Sequence, residues 1–188
     1  HLAPEPRLET LMAAADFHQR GNPGVWWKSV EIGGIATDIE VDIMVPERYA
    51  PDAGRRSARL PPHDKIVARK AVGLEGAILD HDLIEVRALD DTDARHFAVR
   101  VAGPAALIVA KVHKLRDRLV GGKSDRIADK DAADVYRLML SVPVDRFLPR
   151  LDALLSDEVA EPVCREAVDL MAQLFGARAA PGVRMAID

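Results

Sequence analysis

The stretch ADKDAADVYRL, residues 128–138, carries acidic side chains at helical spacing with apolar ones. Asp131, Val135 and Leu138 fall on one side of a helix, because residues three, four and seven apart share a face. A carboxylate is therefore expected on the buried side. In one interpretation Asp129 caps the helix and Asp131 lies in its first turn, where an acid opposes the helix dipole. In the other, Asp131 meets a cation from elsewhere in the chain.

A basic stripe precedes this helix in the predicted helix 104–120. Lys111, Lys114 and Arg118 line up at helical spacing, roughly 100° from the apolar face. That apolar face consists of Ile108, Val112, Leu115 and Leu119. We expect the stripe on the shoulder of the buried face, and His113 in solvent. The stripe either binds an anion or is a solvated surface paired with nearby acids.

Acidic side chains then follow near the start of the next helix. Asp131 and Asp134 are three residues apart, so they are neighbours on the helix surface, and Lys130 lies beside them. The segment between Arg118 and Asp131 contains glycine and is long enough to reverse the chain. We therefore expect the acids to approach the end of the basic helix.

A second pair of acids lies on a predicted strand in EVDIM, residues 40–44. Glu40 and Asp42 share a face, because alternate residues of a strand point the same way. Two carboxylates on a rigid strand suit a Mg²⁺ site for phosphoryl chemistry, since Mg²⁺ takes few protein carboxylates and completes its shell with water and phosphate oxygens. The alternative is the solvated outer face of an edge strand.

Composition sets limits on the class of protein. The chain has 188 residues, of which 48% are hydrophobic and 30% charged, with a formal net charge of -4. These values predict one domain, or one domain with a small helical subdomain, and no overall attraction to nucleic acid. Cys164 is the only cysteine, which excludes an internal disulfide and favours a small buried thiol in a cytoplasmic protein. The apolar runs are shorter than the roughly 20 residues of a membrane helix.

The hydrophobic pattern changes along the chain from strands to helices. We expect an α/β (α+β) fold, in which a small mixed β-sheet flanked by helices occupies residues 1–102 and a helical subdomain occupies residues 103–188. Of Trp26 and Trp27, adjacent on a strand, one is expected in the core. The predicted helices are 6–20, 104–120, 127–141, 143–155 and 158–175, the strands are two antiparallel runs within 25–45 and two within 82–102, and the remaining segments are a loop at 46–62, a short helix or turn at 68–79 and a loose tail at 177–188.

The two helical segments together resemble a known family. AKVHKLRDR followed by ADKDAADVYRL is similar to the helical signature of the nucleotidyltransferase-like proteins related to the AbiEii abortive-infection toxins. In that signature a Lys and an Arg separated by six residues precede a Lys-Asp-x-x-Asp-aliphatic helix start. IEVDIMVP resembles a strand of the same family that often carries a third carboxylate. The order of strands, Lys helix and Asp helix also agrees.

The resemblance implies a polymerase-β-type nucleotidyltransferase that uses Mg²⁺ and a nucleoside triphosphate. The acceptor would be RNA, a protein or a small molecule, and an antitoxin partner would accompany a toxin-like activity. The implied catalytic residues are Lys111, Asp131 and Asp42, the implied nucleotide-binding residues are Lys114, Arg118, Lys130 and Asp134, and the implied metal ligands are Asp42 and Glu40.

One element of the family pattern is not found in this sequence. The Gly-Ser turn and Asp-x-Asp strand, whose carboxylates hold the metals in the family, would lie immediately upstream of His1. We expect metal-dependent transfer if that element exists. The first alternative is a catalytically inactive nucleotide- or partner-binding module of the same fold. The second is an α/β interaction domain whose acids and bases are surface pairs, each worth roughly 0 to 1 kcal/mol.

Overall fold

The computed structural model describes residues 4–50, 56–121 and 126–187, apart from the side chains of 126–129. These residues form an α+β protein, as the sequence predicts. The helices are α1 (Leu8–Ala14), α2 (Pro104–Val120), α3 (Arg126–Ser141), α4 (Val144–Leu155), α5 (Glu161–Phe175) and α6 (Pro181–Ile187). The strands are β1 (His18–Gln19), β2 (Val25–Ile32), β3 (Ile35–Asp42), β4 (Met44–Pro46), β5 (Ser57–Ala58), β6 (Ala68–Ala71), β7 (His81–Arg87) and β8 (His96–Ala102).

The chain divides into two compact units, His1–Ala71 and Val72–Asp188. The division lies earlier than the predicted boundary after residue 102, so the β7–β8 hairpin belongs with the helices. Asp80 accounts for this. Its carbonyl oxygen accepts a hydrogen bond from the Gly103 amide at 2.8 Å, and its Oδ2 accepts one from the Ala106 amide at 2.8 Å, in the first turn of α2. The hairpin is thereby tied to a helix N-terminus.

The first unit is built on the predicted antiparallel pair of strands. β2 and β3 pair along their whole length, and Gly33 and Gly34 form the turn with φ of 59° and 80°, a conformation that glycine adopts without steric cost. Trp26 is 3% exposed, and its Nε1 donates to the Val67 carbonyl at 3.0 Å. The Arg20 guanidinium stacks 5.1 Å from the centre of the Trp27 ring on the opposite face. The prediction that one of the two tryptophans is buried is confirmed.

The predicted single mixed sheet is divided among smaller ones in the described residues. β1, β2 and β3 form one sheet, and β7 and β8 form a hairpin. The third sheet is mixed, because β6 runs parallel to β4 and antiparallel to β5. Gly24 lets its own backbone lie close to the backbone of Ile43, since a Cβ on Gly24 would overlap the Ile43 carbonyl oxygen.

The second unit has a core formed mainly by α2 and α5 with parts of α3 and α4. Its largest fully buried apolar side chains are Val109, Val112, Leu115, Val135 and Leu154. The predicted helices 104–120, 127–141, 143–155 and 158–175 correspond to α2–α5. Their apolar stripes face one another, which is the arrangement that helical periodicity predicts.

Other local predictions need correction. The predicted helix 6–20 ends at Ala14, because the chain reverses at Asp16, whose φ is 65°. The segment 68–79 forms β6 and a 3-10 turn at Glu75–Ile78. The predicted tail contains α6, whose Met185 and Ala186 pack against the helical core. The predicted loop at 46–62 contains a 3-10 turn and β5, and its residues 51–55 lie outside the described part.

Candidate functional site

The second unit gathers acidic and basic side chains between α2 and α3. Lys111 Nζ lies 3.0 Å from Asp131 Oδ1 and 2.7 Å from Asp134 Oδ2. Lys114 Nζ and Arg118 Nη1 each lie 3.1 Å from Asp131 Oδ2. We call these five residues, together with Arg137, the α2–α3 cluster. The structure thus brings together most of the residues that the resemblance implies.

Helix packing explains why this cluster forms. Val112 and Leu115 of α2 are buried in the same core as Ala132 and Val135 of α3. The basic stripe begins beside this apolar contact, at its predicted position on the shoulder of the buried face. Asp131 precedes Ala132 and is drawn into the same contact, so its side chain is only 4% exposed. The carboxylate on the apolar side of α3 is therefore neutralised by the neighbouring helix.

The interpretation that places Asp131 in the first turn of its helix is wrong. α3 begins at Arg126, so Asp131 lies beyond the first turn. The amide groups that lack partners within a helix are those of its first turn. The partners of the Asp131 carboxylate are cations of α2 instead of helix amides. Its Oδ1 accepts hydrogen bonds from Lys111 at 3.0 Å and from Lys114 at 3.2 Å. The alternative interpretation, a cation from elsewhere in the chain, is confirmed.

The charged forms of the cluster stabilise one another. Burial alone would raise the pKa of Asp131, but hydrogen bonds from Lys111 and Lys114 outweigh it and lower that pKa. The Lys111 hydrogen bond also lowers the pKa of Asp134. Burial alone would lower the pKa of Lys111, but hydrogen bonds to Asp134 and Asp131 outweigh it and raise that pKa. All three groups are charged at neutral pH.

The cluster has more positive than negative charge. Arg137 Nη1 contacts Asp134 Oδ1 at 3.0 Å, so four cationic side chains meet two carboxylates. Arg118 Nη1 and Asp131 Oδ2 are both buried, and neither makes a hydrogen bond within the described chain, although they lie 3.1 Å apart. Their attraction is therefore electrostatic and leaves hydrogen-bonding capacity unused. An anion of several negative charges complements this arrangement.

Two residues differ from the sequence-based site. Lys130 is exposed, and the described structure places no contact between it and the cluster. Arg137 belongs to the cluster but was not predicted. Its position three residues after Asp134 is the signal that could have identified it, since residues at this spacing are neighbours on a helix.

The predicted magnesium ligands lie in the first unit. Glu40 and Asp42 are exposed on β3, opposite Trp27 and Val25 in the sheet register. The Asp42 carboxylate is paired with the Arg69 guanidinium. In the part of the chain that the structure describes, no three acidic, histidine or cysteine side chains come together to hold a metal. Mg²⁺ takes few protein carboxylates, and Asp42 would have to leave Arg69 to serve as one of them, so the metal-ligand role of Glu40 and Asp42 stays a prediction.

His113 and Cys164 are both buried in the second unit. The prediction that His113 faces solvent is wrong: its exposed fraction is 0%, and its Nε2 donates to the Val163 carbonyl at 2.9 Å. α5 packs on that side of α2, so the buried arc is wider than the apolar stripe suggests. Burial raises the pKa of the Cys164 thiol to about 11. Cys164 is therefore a packing residue, as predicted.

A second polar cluster was missed by sequence reasoning. The Arg150 guanidinium of α4 binds Asp80 Oδ1 at 2.6 Å and Asp82 Oδ1 at 2.6 Å. Hydrogen bonds to Asp82 and Asp80 raise the pKa of Arg150. A Cβ on Gly103 would overlap the Asp80 carboxylate, so glycine is required at this position. No local spacing indicates this contact, because Asp80 and Arg150 are 70 residues apart.

Comparisons with protein-family models, curated proteins and solved structures find no match to this chain. The likeness to the AbiEii-related proteins therefore stays a resemblance. Among the described residues, no helix combines the length and apolar character needed to cross a membrane.

Proposed function

We propose that this chain binds the polyphosphate of a nucleoside triphosphate at the α2–α3 cluster, as part of a nucleotidyltransferase. The supporting observation is the gathering of Lys111, Lys114 and Arg118 around the buried Asp131. Cations held in place before a ligand arrives stabilise developing negative charge without reorganisation. This arrangement favours binding of a polyanion over a solvated surface role.

Three residues of the cluster have distinct parts in the proposed reaction. Lys111 and Arg118 neutralise the charge that develops on pyrophosphate as it leaves. Asp131 positions them, since its carboxylate is within 3.1 Å of both. In the transfer step the acceptor oxygen bonds to the α-phosphorus and the bond between that phosphorus and the departing pyrophosphate oxygen breaks. The acceptor proton passes to solvent.

Magnesium and the acceptor enter the proposal from the resemblance. Mg²⁺ usually binds through substrate phosphates and few carboxylates, so it would arrive with the nucleotide. Transfer also requires carboxylates beyond those that the described residues bring together. The proposed acceptor is RNA, a protein or a small molecule, and an antitoxin would be the protein partner. A cytoplasmic location accompanies the proposal.

A nucleotide- or partner-binding module without catalysis is the second candidate. The lack of a third metal-binding side chain beside Glu40 and Asp42 in the described residues favours it. Such a module would use the same cations to hold a nucleotide. The module differs from the enzyme in one observable respect: it binds the nucleotide but does not transfer it.

The experiment that separates the candidates is label transfer. The protein, expressed from its native start codon, is incubated with Mg²⁺, each labelled nucleoside triphosphate, and total cellular RNA and protein. We expect transfer by the wild type, loss of transfer in Lys111→Ala, and no change in Arg146→Ala, which removes an exposed positive charge from α4. Binding without transfer would favour the non-catalytic module. If the protein shows neither binding nor transfer, both candidate functions are refuted.

A further inference from the structure

Lys114 differs from the other two cations that contact Asp131. Its side chain is 52% exposed, compared with 25% for Lys111 and 21% for Arg118. Lys111 is held by two carboxylates, whereas Lys114 contacts Asp131 alone among the carboxylates of the described residues. A lysine ammonium on a flexible four-carbon stem exchanges partners readily. Lys114 is therefore the most exposed of the three cations that contact Asp131.

Asp131 remains neutralised when Lys114 moves away. Lys111 Nζ lies 3.0 Å from its Oδ1 and Arg118 Nη1 lies 3.1 Å from its Oδ2, and neither contact depends on Lys114. The departure of Lys111 would have a wider effect, because it takes one partner from Asp134 as well as one from Asp131. A buried carboxylate must keep a partner. The departure of Lys114 leaves Asp131 with Lys111 and Arg118, and it leaves the contacts of Asp134 with Lys111 and Arg137 unchanged.

We propose that Lys114 is a displaceable counter-ion, which neutralises Asp131 in the free protein and turns to the second or third phosphate of a bound polyphosphate. The inference rests on the proposed function. In the free protein both ammonium groups contact the same Asp131 Oδ1, Lys111 at 3.0 Å and Lys114 at 3.2 Å. Once Lys114 turns away from this oxygen, the two ammonium groups serve different phosphates. Lys114 thereby gives the cluster its preference for a polyphosphate over a single phosphate.

The test compares two inorganic probes, tripolyphosphate and orthophosphate, by isothermal titration calorimetry. The proteins are the full chain, Lys114→Ala, Lys114→Arg and the control Arg146→Ala. We expect Lys114→Ala to weaken tripolyphosphate binding about tenfold, the effect of losing one charge-assisted hydrogen bond. The same variant should weaken orthophosphate binding by less than about twofold. Lys114→Arg should retain most of the tripolyphosphate affinity, and Arg146→Ala should match the wild type.

The outcomes separate this inference from the proposed function. If Lys114→Ala loses affinity equally for both probes, or loses none for either, the role of Lys114 is overturned. Binding of tripolyphosphate by the wild type would still support the polyphosphate site. No tripolyphosphate binding by the wild type would overturn the site itself. Thermal unfolding of Lys114→Ala near the wild-type temperature confirms that the variant is folded, because Asp131 keeps Lys111 and Arg118.

Discussion

Lys111 Nζ and Asp131 Oδ1 lie 3.0 Å apart although the residues are separated by 20 positions in the sequence. The bond joins α2 to α3 at the edge of the helical core. It explains how a carboxylate is accommodated on the apolar side of α3. It also holds an ammonium group in a fixed place, which is what binding of a phosphate chain requires.

The first prediction concerns the stability of the cluster. Asp131→Asn keeps the side-chain volume but removes the charge that Lys111, Lys114 and Arg118 share. We expect a loss of about 1–3 kcal/mol in the free energy of unfolding, less than for a fully buried pair because the cations are partly exposed. Urea denaturation at pH 7 measures it. Asp134→Asn, at a more exposed carboxylate, should lose less; equal losses would contradict the central place of Asp131.

The second prediction concerns pH. The pKa of Asp131 is lowered in the folded protein, so the folded state binds this proton less readily than the unfolded state. Its contribution to stability is present above the unfolded value of about 3.9 and is lost as pH falls through the folded pKa. The stability difference between the wild type and Asp131→Asn should be constant from about pH 5 to 7 and shrink below about pH 4. A difference that does not vary with pH would refute this account.

The third prediction concerns the hairpin anchor. The Asp80 side chain is 2% exposed, and it binds both Arg150 and the Ala106 amide. Asp80→Ala leaves the buried Ala106 amide without its acceptor, while Arg150 keeps Asp82, so we expect a loss of about 1–3 kcal/mol. The control Asp82→Ala, at a carboxylate that is 53% exposed, should lose much less. Thermal denaturation of both variants measures the difference, and similar losses would show that Asp80 does not anchor the hairpin.

Local patterns predicted the β2–β3 and β7–β8 hairpins, the helices α2–α5 and every residue of the cluster except Arg137. The glycine pair between alternating residues predicted the β2–β3 hairpin, and helical periodicity predicted α2–α5. The out-of-place Asp131 pointed to a cation, and the spacing of Lys111, Lys114 and Arg118 supplied candidates. These signals work because each depends on residues within two turns of a helix or on a tight turn.

Contacts between distant segments could not be predicted in the same way. The Asp80–Arg150 pair joins a hairpin to α4, and the burial of His113 depends on α5. Neither leaves a trace in the local sequence, because burial at these positions is decided by which elements pack together. The metal site expected at Glu40 and Asp42 stays a prediction. Periodicity places the two acids on one face, but it does not reveal that Arg69 neutralises one of them.

The most direct test of the central claim is nucleoside triphosphate binding by the wild type and Lys111→Ala. Each of the four nucleoside triphosphates is titrated into the full chain by isothermal titration calorimetry, with Arg146→Ala as the control for loss of a surface charge. We predict that the wild type and Arg146→Ala bind at least one of them and that Lys111→Ala weakens this binding about tenfold or more. Equal binding by Lys111→Ala, or no binding by the wild type, would contradict the assignment of a polyphosphate site to the α2–α3 cluster.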